Sequence, residues 1–131
     1  MRFLTAALIM LASMPAAAQP QLVGQATAID GGTLEVDGTK LPLWGIAADP
    51  PETPRGWTAR LLLGSLVSHG PARCIEKAPG RWQCLTDDGS DLASLLVQTG
   101  QARAADPHYS HEQELAQAAR IGMWGNRDGG R

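Results

Sequence analysis

The chain has 131 residues, 44% of them hydrophobic, with eleven basic side chains against thirteen acidic ones and a net charge of −2. This length suits one domain with a single modest core. The acidic balance excludes a protein that grips duplex nucleic acid by bulk electrostatics, and two cysteines with no histidine at zinc spacing exclude a cysteine-built zinc cage.

Arg2, the apolar run Phe3 to Met10 and the small-residue site Ala16-Ala17-Ala18 predict a signal peptide over residues 1–18, cleaved after Ala18. The run is too short to span a membrane, and no later run comes close. A periplasmic or secreted protein is therefore expected, a monomeric domain over residues 19–125. Export makes a Cys74–Cys84 disulfide the default.

From Gly24 to Glu52 the chain alternates polar and apolar residues. Gln25, Thr27, Thr33, Glu35 and Lys40 interleave with Ala26, Ala28, Leu34, Val36 and Leu41. That is the period of half-buried strands, and three are predicted. Asp30-Gly31-Gly32 separates the first two, and Asp37-Gly38 predicts a tight hairpin between the second and third. Asp49-Pro50-Pro51-Glu52-Thr53-Pro54 follows as a rigid turn, with Thr53 capping a helix that has Pro54 in its first position. The helix runs from about Gly56 to His69, with Ala59, Leu62, Leu63, Leu66 and Val67 on one stripe.

A hairpin comes next, Arg73 to Lys77 and Arg81 to Thr86 around Ala78-Pro79-Gly80. Its register sets Lys77 opposite Arg81 and Cys74 opposite Cys84, near enough to bridge. Ser90 caps a second helix carrying Leu92, Leu95 and Leu96, ended by Gly100. Ala102-Arg103-Ala104 reads as a short extended piece. A third helix opens at Ser110 with Gln113 completing a capping box, and Leu115, Ala118 and Ala119 face inward. Residues 126–131 are Gly-rich and charged and read as a flexible tail. The order β-β-β-α-β-β-α-α is α+β and matches a five-stranded OB-fold β-barrel with three helices.

At this point the residues resemble a family. Ala28-Ile29-Asp30-Gly31-x-Thr33, Leu43-Trp44-Gly45-Ile46 with Pro51-Glu52, Gly80-Arg81, Asp88-Gly89-x-Asp91-Leu92, and Tyr109, Glu114 and Gly122-Met123-Trp124 together resemble the staphylococcal nuclease-like (thermonuclease) family from Gly24 to Trp124. The resemblance implies an OB-fold hydrolase of phosphodiester bonds using one calcium. Carboxylates hold such a cation, a glutamate activates water, and two arginines clamp the phosphate.

Carried over position by position, the resemblance makes Glu52 the catalytic carboxylate, Asp49 a metal ligand and Arg81 a phosphate-binding catalytic arginine. Gly32 and Ala47 stand where the family carries metal carboxylates, so calcium is a doubtful cofactor. Pro42 stands where it carries the first arginine, and Asp49 aligns only across a two-residue insertion, Ala47-Ala48. Lys40, two residues before Pro42 on the same strand face, offers a substitute charge for substrate. Trp82 and Trp57 offer rings for stacking bases, whereas Trp44 and Trp124 read as core. Each has a plainer reading beside it. Glu52 suits a helix start, Asp30 a turn, Arg81 a solvated cross-strand position, and the three histidines structural roles.

Two functions follow. One is a catalytically weakened or inactive nuclease homologue acting as a binding module for an envelope protein, a polysaccharide or single-stranded nucleic acid. The other is a calcium-dependent phosphodiesterase with a rearranged site built on Asp49, Glu52 and Arg81.

Overall fold

Small apolar residues alternating with polar ones build the first sheets of the computed structural model, which describes residues 9–10 and 19–125. The signal segment, its cleavage site and the tail at 126–131 otherwise lie outside the described residues. The strands β2 (Ala26–Asp30), β3 (Thr33–Val36) and β4 (Thr39–Pro42) form one antiparallel sheet. Ala26, Leu34, Val36 and Leu41 are buried, and their polar neighbours point outward, as the alternation predicts. Asp37 and Gly38 take positive φ, 49° and 78°, in the hairpin turn between β3 and β4.

Eight strands stand where the sequence predicts five, in three sheets that no continuous ladder closes into a barrel. The strand β1 (Gln21–Gly24) has too little alternation to be seen in sequence, and it pairs with β6 (Ala72–Ala78). Beside β6 lies β7 (Arg81–Leu85). The strands β5 (Ile46–Ala48) and β8 (Ala102–Ala104) make a two-stranded sheet between segments far apart in the chain. Leu43 stitches the larger sheets together. Its N–H donates to Gly32 O at 2.8 Å, and it forms an isolated parallel bridge with Trp82. The Leu43-to-Gly32 bond makes Thr33 and Pro42 a non-hydrogen-bonded pair, so Pro42's missing N–H leaves β3 nothing unpaired.

The helix α1 (Pro54–Leu66) has Pro54 in its first position, as its cap predicts, and ends three residues earlier than predicted. Thr53 caps it, its hydroxyl accepting from Gly56 N–H. Of the predicted stripe, Ala59, Leu63 and Val67 are buried and Leu62 and Leu66 half-buried. The helix α2 (Leu92–Gln98) is capped by Asp91 and not by Ser90. The Asp91 carboxylate reaches Ala93 N–H at 3.0 Å, whereas Ser90 N–H is itself held by the Thr86 hydroxyl. The helix α3 (Ser110–Ala119) lacks the predicted capping box, because Gln113 Oε1 accepts from Ala104 N–H of β8 instead. Its inward face is Ala116, and Leu115, Ala118 and Ala119 are exposed.

Lys77 is not opposite Arg81. Ala78 pairs with Arg81, and a bulge between Glu76 and Ala78 absorbs one residue, which restores the predicted Cys74–Cys84 pairing. The disulfide is formed between fully buried sulfurs with Cα atoms 4.0 Å apart. Its ring is short, so replacing both cysteines by alanine is expected to lower unfolding free energy by about 2–3 kcal/mol. A lower urea midpoint at unchanged slope checks this.

Leu34, Leu41, Leu63, Leu92, Leu96 and Tyr109 form the centre of one core shared by all three sheets and by α1 and α2. Among the described residues no charged side chain is buried, and no helix is long and apolar enough to cross a membrane.

Candidate functional site

The turn after β2 is held by Asp30, whose Oδ1 accepts from Gly32 N–H at 2.8 Å. Asp30 is thus a turn-former, as its sequence context suggests. A Cβ on Gly31 would lie 2.5 Å from the Ala59 methyl, so this turn sits directly on α1. Gly32 faces Ala48, whose methyl would lie 3.3 Å from a Cβ there. Ala48 therefore crowds the position where the resemblance expects an acid.

After β5 the chain turns through Asp49 to Thr53. Pro50 O accepts from both the N–H and the hydroxyl of Thr53, at 3.1 and 2.7 Å. This turn lays the Asp49 carboxylate between two guanidiniums. Arg103 Nη1 donates to Oδ1 at 3.0 Å, and Arg55 Nε lies 3.4 Å from Oδ2. Sheet register explains the first contact. Arg103 is opposite Ala47, and Asp49 is two residues on, the diagonal neighbour on the same face. Each oxygen has its own cation, and the Asp49 side chain is 23% exposed.

A cleft of about 320 Å³ opens beside this turn. Asp30, Thr33, Asp49 and Arg81 line it together with the apolar Ile46 and Pro51. Arg81 is exposed and makes no ion pair among the described residues. Glu52 is exposed and does not line the cleft. Lys40 is also exposed and pairs across the sheet with Glu35, outside the cleft. Trp82 is only 8% exposed and belongs to the core, so its ring offers no surface for a base. Trp57 is 51% exposed, with the Arg60 guanidinium 5.3 Å from its ring centre.

Sequence reasoning missed Arg55 and Arg103 as partners of Asp49. The signal for Arg103 is the small-residue alternation Ala102-Arg103-Ala104, which marks a strand but not its partner. The histidines stay apart. His69 borders a separate cleft with Asp87 and Asp88, and His108 packs on Trp44 and Tyr109 with centroids 5.5 and 4.8 Å away. In that separate cleft the Thr86 hydroxyl, and after it Ser90, hold the Asp88 carboxyl below its ordinary range. Among the described residues no three His, Cys, Asp or Glu side chains are grouped to hold a metal.

No protein-family model matches the sequence, and no curated protein matches it.

Proposed function

We propose that the chain is an exported staphylococcal nuclease-like domain of OB type that binds a ligand without cleaving it. The strand and helix order and the Leu43–Trp82 link between the two larger sheets support the fold. One observation carries the function: the carboxylate left to hold a cation, Asp49, is already matched by Arg103 and Arg55. Calcium takes six to eight oxygens, several of them from carboxylates. Here Gly32 and Ala47 supply no side-chain oxygen, Asp30 Oδ1 is taken by a backbone N–H, and Asp49 faces two positive charges. These residues do not fit calcium. Glu52 is exposed and does not line the cleft with Asp49 and Arg81.

The second reading, a phosphodiesterase with a rearranged site, rests on Asp49 and Arg81 lining the same cleft. A nuclease assay separates the two. The purified protein, incubated with calcium and single-stranded DNA, duplex DNA or RNA, is expected to release no product above a chelator control. Calcium is also expected to leave its melting temperature unchanged. Hydrolysis that is lost with chelator and with Glu52→Ala would overturn the binding-module reading.

A further inference from the structure

The cleft beside Asp49 has an unusual charge balance. Arg55 and Arg103 are directed at Asp49, and Asp30 also borders the space. Counting these five groups leaves one positive charge over, and Arg81 is the guanidinium without a carboxylate against it. A nucleic-acid strand brings a negative charge with every nucleotide and needs a matching run of cations. Two carboxylates lining the cleft oppose that. A ligand with a single anionic group fits.

The rest of the lining narrows the class further. Leu43, Ile46, Ala47, Ala48, Pro50 and Pro51 supply the apolar part of a lining whose exposed area is more polar than apolar. The volume of about 320 Å³ is at the low end for ligand pockets, which take about 300–1,000 Å³. It suits a terminal residue and not a long segment. Ile46 to Ala48 are also strand β5, whose sheet contains only β8. Its second edge has no strand beside it among the described residues. An open edge offers backbone donors and acceptors to an extended chain laid along it.

We propose, on the reading that this domain binds without cleaving, that the cleft captures the C-terminal end of an extended peptide. Arg81 holds the terminal carboxylate through charge-assisted hydrogen bonds. The last side chain, small and apolar, lies against Ile46 and Pro51, and the backbone runs along β5. The Asp49–Arg103–Arg55 cluster keeps the turn that forms the cleft's wall in place.

Pentapeptides ending in Ala, Val or Leu, each as the free acid and as the C-terminal amide, test this by calorimetric titration of the purified protein. The free acid is expected to bind about tenfold or more tightly than the amide, the worth of one charged hydrogen-bonded contact. Arg81→Gln is expected to remove that difference without lowering the melting temperature, since Arg81 is exposed. Amide resonances of Ile46 to Ala48 should shift on titration. Equal binding of acid and amide, no binding of either, or an acid preference that survives Arg81→Gln overturns the proposal. Those outcomes leave the non-catalytic reading standing, whereas chelator-sensitive hydrolysis of nucleic acid would remove it.

Discussion

Gly56→Ala is expected to destabilise the protein by about 3 kcal/mol or more, the upper end for overpacking a core position. Gly56 is buried in the first turn of α1, and a Cβ there would lie 1.9 Å from Pro50 O and 2.6 Å from Pro50 C. Both are backbone atoms, so no side-chain rotamer relieves the clash. The turn from Asp49 to Thr53 must move or α1 must lift away. Either loosens the Thr53 cap and the Asp49–Arg55 pair and opens the wall of the cleft. Gly64→Ala, in the same helix, provides the control with opposite sign. A Cβ there meets only the Ala28 methyl, at an ordinary 3.8 Å. Removing a glycine from the helix's last turn at no steric cost is expected to stabilise by about 0.5 kcal/mol. Urea unfolding of the two variants, at common slope, checks both. If Gly56→Ala melts like the parent, the turn does not pack on α1 as described.

Some of this was legible in the residues. Period-2 alternation located β2, β3 and β4, and Asp37-Gly38 marked their hairpin, because both signals are local. The Cys74–Cys84 pairing was legible because a hairpin's register follows from its own turn. The reading missed the bulge at Lys77 yet reached the right pair, since a three-residue loop and a two-residue loop plus bulge give the same register beyond the turn. What failed was non-local. Nothing in Gln21–Gly24 says that it will pair with Ala72–Ile75, and nothing near Arg103 says that it will meet Asp49, 54 residues earlier. Local cap rules also lost to tertiary bonds. Ser90 and Asp91 are both good caps, and Asp91 wins because its second oxygen is needed by Gln83 and Tyr109. Gln113 leaves its box for a strand N–H that would otherwise be unpaired.

The site shows the same division. That Gly32 and Pro42 carry no charge is plain in sequence, but what lies beside them in space is not. Ala48 fills the space beside Gly32, so Gly32→Asp alone would set a carboxylate against a methyl at 3.3 Å and near Asp30 Oδ1, 3.8 Å from the new Cβ. A carboxylate at position 32 would therefore also need room made at Ala48.

Asp91→Ala is expected to cost about 3 kcal/mol, a large share of a small domain's stability. Asp91 does four things at once. Oδ1 accepts from Ala93 and Ser94 N–H at the start of α2, and Oδ2 accepts from Gln83 Nε2 at 3.0 Å and from Tyr109 Oη–H at 2.8 Å. Removing a cap costs about 1 kcal/mol, and leaving a buried hydroxyl unpaired costs about 1–3 more. Tyr109 is fully buried, and without Asp91 only the Gln83 side chain is left near its hydroxyl. Tyr109→Phe removes donor and need together and should cost less. The double variant should fall short of the sum by about 1 kcal/mol or more, the mark of a direct contact.

The same pair has an alkaline signature. Burial, and after it the hydrogen bond and negative charge of Asp91, push the Tyr109 phenol far above its ordinary value. Below about pH 10 the phenol is protonated in both the folded and the unfolded chain, and its contribution is fully present. Above that, the unfolded chain releases the proton and the folded one keeps it. Stability therefore falls as pH rises past about 10. Tyr109 is the only tyrosine in the chain, so phenolate absorbance reports it alone. That absorbance is expected to rise only together with loss of the folded circular dichroism signal. In Asp91→Ala the rise should begin at lower pH, since two of the causes that hold the proton are gone. A phenolate signal near pH 10 with the fold intact would show that Tyr109 is not sealed against Asp91.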